Sequence, residues 1–266
     1  MSHVPYQDRR SQIEDYFDRT AADAWAKLTS SAPVSGIRAT VRAGRDRMRA
    51  TMLSWLPPSL EGRRVLDAGC GTGATGAWLA DLGLVIALDT EPEALNLYRQ
   101  AHPYAQLIQG DISAIDLPDD FVDTALCVTV LYHAEVVDPQ KAVNEMARVV
   151  TPGGVVCLME PGVRRLRRSH DQVTHAARRF SRHELETLAA NAGLDIIRST
   201  GAYSFLVLPA WLKSRVERNS TSSDLDNNTS GLFGLLGLLA RFERRILRVV
   251  SLPFGLSVIV VARKKS

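Results

Sequence analysis

Four residues at alternate positions begin the part of the chain that is best suited to chemistry: Asp67, Gly69, Gly71 and Gly73. They follow a short apolar run, which predicts a buried strand, then a tight glycine turn, then a helix over residues 74–82. Glycine suits such a turn because it adopts positive φ freely and lets a ligand approach the main chain. The N–H groups at the start of the helix then favour an anion or another polar group. The pattern predicts a ligand-binding turn.

The class of ligand is left open by the turn itself. The spacing Gly69-x-Gly71-x-x-Ala74 matches the dinucleotide fingerprint, in which a pyrophosphate lies on the helix N-terminus. Asp89 ends the next apolar run, about twenty residues further on, where an acid binds the hydroxyls of a ribose. Because a ribose occurs in several cofactors, Asp89 predicts a nucleoside ligand without choosing its class.

Tyr132 and His133 follow the fourth predicted strand, and are candidates for contact with a second substrate. Ligands of open α/β sheets bind beyond the carboxyl ends of the strands, which is where both residues are expected. His133 is the candidate catalytic base for a substrate that must lose a proton, since a free imidazole has a pKa of about 6.5. A role in shaping the pocket suits it equally, and packing is the favoured role of Tyr132. His170 is a further candidate, from the segment expected to cover the site.

Strands and helices must alternate to bring these residues to one edge of a sheet. Apolar runs predict strands at 65–66, 84–88, 105–108, 121–128, 155–159, 195–199 and 256–262, and helical spacing predicts helices at 91–101, 139–149 and 185–192. Such alternation predicts an α/β fold with a largely parallel sheet.

Two helical additions flank this core. The first is an N-terminal arm with amphipathic helices and a basic stripe, whose members are Arg38, Arg42, Arg45 and Arg49. The second separates the sixth and seventh strands by about fifty residues, too many for a plain loop. The expected organisation is an arm at 1–58, an α/β core at 59–204, a helical lid insertion at 205–250 and the last core strand at 251–266.

The insertion contains a predicted helix near residues 231–250, with an apolar side and an arginine side. Two interpretations are open. The helix is either a lid packed on its own domain, or an element that contacts an anionic membrane surface and gives access to a lipid-soluble substrate.

Composition restricts the function classes. The 266 residues are 45% hydrophobic and 23% charged, as in ordinary globular proteins, and a net charge of +3 is too small to predict a nucleic-acid partner. Three cysteines without C-x-x-C spacing predict neither a disulfide nor a metal site. The polar N-terminus and the absence of a long apolar run predict a cytoplasmic protein, peripheral to a membrane if the insertion binds one.

Several of these motifs resemble those of the class I S-adenosylmethionine (SAM) methyltransferases. The similar segments are Asp67-x-Gly69-x-Gly71-x-Gly73, Gly110-Asp111-Ile112 and 148–154. The dinucleotide fingerprint does not call for the acid at Asp111, so the balance moves to SAM. The resemblance implies a Rossmann-like seven-stranded fold and SAM as cofactor. It implies these cofactor-binding residues: Asp67, Gly69, Cys70, Gly71, Gly73, Asp89, Thr90, Asp111, Ile112 and Val128.

Two more specific resemblances divide the chain. Residues 6–73 are similar to the magnesium-protoporphyrin O-methyltransferases, which implies that Tyr16 and Trp25 contact the substrate. Residues 74–266 resemble a bacterial branch of SAM methyltransferases with mostly unassigned acceptors. The favoured hypothesis is methyl transfer to a small or amphiphilic acceptor, and the alternative is methylation of a magnesium-porphyrin propionate. A non-catalytic SAM-binding module or an NAD(P)-dependent oxidoreductase is the alternative from a different class.

Overall fold

The computed structural model describes residues 48–56, 61–73, 75–79, 83–164, 177–208, 211, 230–247 and 249–266. Tyr16, Trp25 and His170 lie outside the described residues, as do most of the arm and three arginines of its basic stripe.

The core is one seven-stranded sheet. Its strands are β1 (Arg64–Ala68), β2 (Leu84–Asp89), β3 (Gln106–Gln109), β4 (Val122–Val128), β5 (Val150–Pro161), β6 (Leu194–Ala202) and β7 (Ser257–Lys264). They lie in the order β3-β2-β1-β4-β5-β7-β6. The first five strands are parallel, and β7 runs antiparallel to both of its neighbours. The predicted seven-stranded α/β fold is therefore confirmed.

Helices connect the strands, and local sequence explains where they start. They are α1 (Gly76–Leu79), α2 (Pro92–Ala101), α3 (Pro139–Val149), α4 (Arg182–Asn191) and α5 (Ser230–Ile246), with further helical residues at 48–53. Asp138 caps α3 by accepting hydrogen bonds from two N–H groups of its first turn. Ser181 and Glu184 form a reciprocal capping box, so α4 begins three residues before the predicted start.

Apolar side chains cover both faces of the sheet. On one face, Leu66 and Leu158 pack with Met146 of α3 and Leu185 of α4. The other face includes Met52, which is fully buried together with Met48. The described end of the arm thus packs onto the core, and the sheet forms a rigid base for residues beyond its strand ends.

The insertion between β6 and β7 docks through α5. Glu243 is buried, and its carboxylate accepts hydrogen bonds from the N–H groups of Tyr203 (2.9 Å) and Ser204 (2.6 Å). Leu247, one turn later, is also buried, and its carbonyl accepts a hydrogen bond from Arg198. Helix α5 ends at Ile246 and not at the predicted 250, although the Leu247 N–H still donates to the Glu243 carbonyl at 2.8 Å.

Candidate functional site

The glycine turn after β1 depends on backbone conformations that favour glycine. Gly69, Gly71 and Gly73 have φ values of 73°, 53° and 90°. The N–H groups of Gly69 and Cys70 both donate to the Leu88 carbonyl, at 2.8 and 3.0 Å, which fixes the turn against β2. A Cβ atom at Gly69 would overlap the side chain of Val130, so glycine is needed there for space as well as for conformation.

Asp89 holds the turn from the carboxyl end of β2. Its Oδ2 accepts a hydrogen bond from the Gly71 N–H at 2.7 Å, and its Oδ1 accepts one from the Glu91 N–H at 3.1 Å. Burial raises the pKa of Asp89, while these N–H donors oppose that rise. A carboxylate oxygen accepts more than one hydrogen bond, so both oxygens retain capacity for a diol such as that of a ribose.

Asp67 supplies a buried acid beside the same turn. The side chain is 2% exposed, and its Oδ2 has no hydrogen-bond partner among the described residues. Burial raises the pKa of Asp67 to about 7, against the opposing positive charge of Arg49. An orphaned carboxylate oxygen in an apolar setting suits a cationic or hydrogen-bond-donating ligand. An ammonium group such as that of SAM is a ligand of this kind, because it carries a positive charge and only donates hydrogen bonds.

The remaining predicted cofactor residues lie along the same edge of the sheet. Asp111 is exposed beyond β3, and its Oδ1 accepts the Ser113 N–H at 2.6 Å. Thr90 is exposed, and its carbonyl accepts a hydrogen bond from Gln109. Ile112 and Cys70 are buried, whereas Val128 is half-buried. Burial raises the pKa of the Cys70 thiol, which therefore stays protonated.

Two residues absent from the sequence predictions close the far side of the turn. The Nε2 atom of His102 lies 3.1 Å from the Gly73 carbonyl oxygen, and the ring of Tyr98 packs against His102 at 4.9 Å. A Cβ atom at Gly76 would overlap Tyr98. Helical spacing within α2 gave no sign of this contact, because it depends on how α2 packs on the turn.

Tyr132 and His133 lie together after β4, as their adjacency requires. Tyr132 is buried and His133 is half-buried, and their ring centroids are 4.0 Å apart. The His133 N–H donates to the Val130 carbonyl at 3.1 Å. Since Val130 also contacts Gly69, the turn that carries His133 adjoins the glycine turn.

Glu160, at the carboxyl end of β5, is a further site residue that sequence reasoning missed. Its side chain is fully buried, and Oε1 accepts the N–H groups of Val130 (3.0 Å) and Leu131 (2.9 Å). The available signal was a lone acid at the end of the apolar run Val155–Met159. A charged residue is rarely buried without a partner, so this position already pointed to a buried polar contact.

Comparison with known proteins agrees with this geometry. A family model described as a methyltransferase domain matches residues 66–158. Magnesium-protoporphyrin O-methyltransferase of Rhodobacter capsulatus is 51% identical over 100 residues, which are 37% of this chain and 45% of the relative. An uncharacterized methyltransferase of Mycobacterium tuberculosis is 41% identical over 112 residues, 42% of this chain and 44% of the relative. The chain thus matches less than half the length of these curated relatives.

Solved structures share the fold over nearly the whole chain. Magnesium protoporphyrin IX methyltransferase from Synechocystis PCC 6803 with bound SAM has a TM-score of 0.62 and 16% identity, over 99% of this chain and 100% of the other. The [4+2]-cyclase SpnF has a TM-score of 0.65 and 17% identity, over 98% of each chain. Residues 66–158 match the methyltransferase-domain model, and the seven-stranded sheet has the class I SAM methyltransferase fold that the sequence motifs predicted.

Proposed function

We propose that this protein transfers a methyl group from SAM to a small or amphiphilic acceptor. The observation that carries the proposal is the juxtaposition of a glycine turn with two acids, Asp67 and Asp89. Asp67 is buried with one oxygen unpartnered among the described residues. Asp89 accepts hydrogen bonds from two backbone N–H groups, and its oxygens can accept further hydrogen bonds from a ligand. The match of residues 66–158 to a methyltransferase domain supports the same function.

In this proposal each acid binds one part of the cofactor. Asp67 faces the ammonium group, Asp89 accepts hydrogen bonds from the ribose hydroxyls, and Asp111 binds the adenine amino group. Ile112 lies at the adenine ring, and the remaining contacts come from the turn and from Cys70, Thr90 and Val128. SAM supplies an activated methyl group on a sulfonium. The protein then contributes alignment and exclusion of water, which are the main sources of rate in such a displacement.

On the acceptor side, His133 is the proposed base for an acceptor that must lose a proton, and Tyr132 forms the wall beside it. Tyr16, Trp25 and His170 complete the proposed acceptor contacts. The resemblance of residues 6–73 and the R. capsulatus relative support a magnesium-porphyrin propionate as the alternative, more specific acceptor. Incubating the protein with SAM and magnesium-protoporphyrin tests that alternative, since a monomethyl ester supports it and no ester at high enzyme concentration contradicts it.

Titration calorimetry with SAM and with S-adenosylhomocysteine tests the cofactor site. Asp89→Asn is expected to weaken binding by on the order of 10- to 100-fold, because hydrogen bonds to a charged group are lost. Asp195→Asn is the matched control, since Asp195 is exposed on β6 and pairs only loosely with Lys265 at 3.6 Å. Binding of NADH instead of SAM would support the oxidoreductase alternative and overturn the proposal.

Binding without methyl transfer to any acceptor would favour the non-catalytic module. The similarity to a [4+2]-cyclase makes this assay necessary, because that protein shares the fold but is named for a different reaction.

We further propose a cytoplasmic protein whose insertion contacts an anionic membrane surface. Docking of α5 through Glu243 and Leu247 leaves Leu238 (61% exposed) and Phe242 (64% exposed) directed away from the core. Arg241 and Arg245 are exposed on the same helix. Apolar side chains flanked by arginines suit the boundary between lipid headgroups and acyl chains. None of the helices among the described residues is long and apolar enough to cross a bilayer.

Flotation with vesicles that contain anionic lipid tests this contact. The double variant Leu238→Asp and Phe242→Asp is expected to lose flotation, whereas Tyr104→Asp retains it. Tyr104 is the control because it is fully exposed and lies next to β3, at the opposite edge of the sheet from β6. Equal flotation of the two variants would contradict the proposal.

A further inference from the structure

Glu160 is a buried carboxyl group that the proposed cofactor site does not use. It lies fully buried at the end of β5, and its Oε2 has no hydrogen-bond partner among the described residues. Its other oxygen, Oε1, accepts two consecutive N–H groups, those of Val130 and Leu131. Burial raises the pKa of Glu160 to about 8, while the N–H groups of the loop oppose that rise. A buried carboxyl is unfavourable unless it is hydrogen-bonded, so these contacts stabilise it, together with the Cys127 thiol, which donates to Oε1 at 3.9 Å.

The loop that Glu160 holds leaves β4 through an unusual conformation. Thr129 has a φ of 59°, which is rare for a β-branched residue, and its N–H donates to the Met159 carbonyl at 2.7 Å. The next two N–H groups donate to Glu160. Three consecutive residues are therefore fixed to the end of β5 before the chain reaches Tyr132.

A second segment, residues 177–178, also holds this loop. The Tyr132 carbonyl accepts the N–H groups of Ala177 (3.0 Å) and Arg178 (3.3 Å), and the Arg178 guanidinium donates to the Val136 carbonyl at 2.6 Å. The loop is thus held both by Glu160 and by residues 177–178. His133 lies within this loop, with its N–H on the Val130 carbonyl.

We propose that Glu160 is a positioning residue, which sets the place of the His133 ring by holding the N–H groups of Val130 and Leu131. The inference rests on the proposed function in that His133 is the group positioned for the acceptor. An apolar residue at position 160 would leave two buried donors without partners, so the loop would shift to satisfy them. Val130 also lies close to Gly69, so the acceptor loop adjoins the cofactor turn.

NMR on the full chain tests the inference without any acceptor. Three observables are followed: amide exchange at Val130 and Leu131, the ring signals of His133 assigned with His133→Gln, and those of His102 as internal reference. In Glu160→Leu, exchange at both amides is expected to accelerate by at least tenfold and the His133 ring signals to shift. The His102 signals should stay unchanged, because that ring lies directly after α2 and contacts the Gly73 carbonyl, not the loop that Glu160 holds.

Glu160→Gln keeps the side-chain volume and one acceptor oxygen, so the test stays open if the leucine variant fails to fold. It is expected to restore slow exchange in part, with a smaller shift at His133. Cys157→Ala is the control, because Cys157 is buried in the same strand on the opposite face of the sheet. Wild-type exchange and wild-type His133 signals in a folded Glu160 variant would overturn the inference.

Calorimetry with SAM separates this inference from the proposed function. Unchanged SAM affinity in Glu160→Gln with altered His133 signals supports the positioning role. Absence of SAM binding in the wild type would overturn the proposed function and leave the NMR result to stand alone. If an acceptor is methylated, we expect kcat to fall by on the order of 10- to 100-fold, because misplacement of a reacting group has effects of that size.

Discussion

Replacement of Gly69 by alanine should destabilise the protein for two separable reasons. The first is conformational, since Gly69 has a φ of 73°. A residue with a Cβ in the left-handed region costs about 1 to 2 kcal/mol. The second is steric, since the new Cβ overlaps the Val130 side chain. Overpacking of this kind costs about 1 to 3 kcal/mol. We therefore expect Gly69→Ala to lower the free energy of unfolding by about 2 to 5 kcal/mol.

Gly62 is the matched control for the conformational part. Its φ of 71° is nearly that of Gly69, but a Cβ there would have no neighbour within 4 Å. Gly62→Ala should therefore lower the free energy of unfolding by only the conformational part, about 1 to 2 kcal/mol.

Urea unfolding followed by circular dichroism measures all of these values. The steric part is isolated by adding Val130→Ala, which removes the overlapping methyl groups. We expect a favourable coupling energy of about 1 to 3 kcal/mol between Gly69→Ala and Val130→Ala. Equal destabilisation by Gly62→Ala and Gly69→Ala, with no coupling to Val130, would refute the reasoning.

Three further measurements test other parts of the structure. Burial raises the pKa of Asp67 to about 7, so the folded state holds a proton that the unfolded state releases between about pH 4 and 7, and stability falls as the pH rises through that window. As the pH rises, the free energy of unfolding of Asp67→Asn should thus increase relative to that of wild type by up to about 1.4 kcal/mol per pH unit. If urea unfolding gives the same difference in free energy between variant and wild type at pH 5 and at pH 7, this prediction is contradicted. Ser181→Ala removes the capping box of α4 and should cost about 1 kcal/mol by the same method, whereas an unchanged midpoint would contradict the role of the cap. Burial raises the pKa of Cys70, Cys127 and Cys157, so all three thiols should react slowly with a disulfide reagent until the protein unfolds, and fast labelling of one native thiol would contradict that expectation.

The sequence predicted the cofactor site best, because its residues lie close together along single strands and the turns that follow them. Asp67, Asp89 and Asp111 each follow an apolar run, and the parallel arrangement of β1, β2 and β3 brings their ends to one edge of the sheet. Strands β1, β2, β4, β5 and β7 were predictable because burial on both faces gives them apolar runs, whereas the edge strands β3 and β6 are partly exposed.

Contacts between distant elements were harder to predict. In the sequence, Glu243 is one of several charged residues of the predicted amphipathic helix, and nothing there distinguishes it. Its hydrogen bonds to the N–H groups of Tyr203 and Ser204 explain why it faces inward. The outward direction of Phe242 follows from that docking and could not be read from helical spacing alone. Glu160 was missed similarly, since its partners belong to a loop that lies thirty residues earlier.

The position of β7 has a consequence for assembly during synthesis. This strand lies between β5 and β6 in the sheet, but it is synthesised last. Residues 203–256 are synthesised after β6 and before β7. Strand β6 pairs with β7 along its whole length and has no other neighbour in the sheet. When the nascent chain has emerged only as far as β6, the two strand edges that β7 later covers, one on β5 and one on β6, are therefore unpaired. The parallel part of the sheet can form first, whereas its far edge must wait for β7, and chaperone contact is expected to concentrate on that edge in the interval.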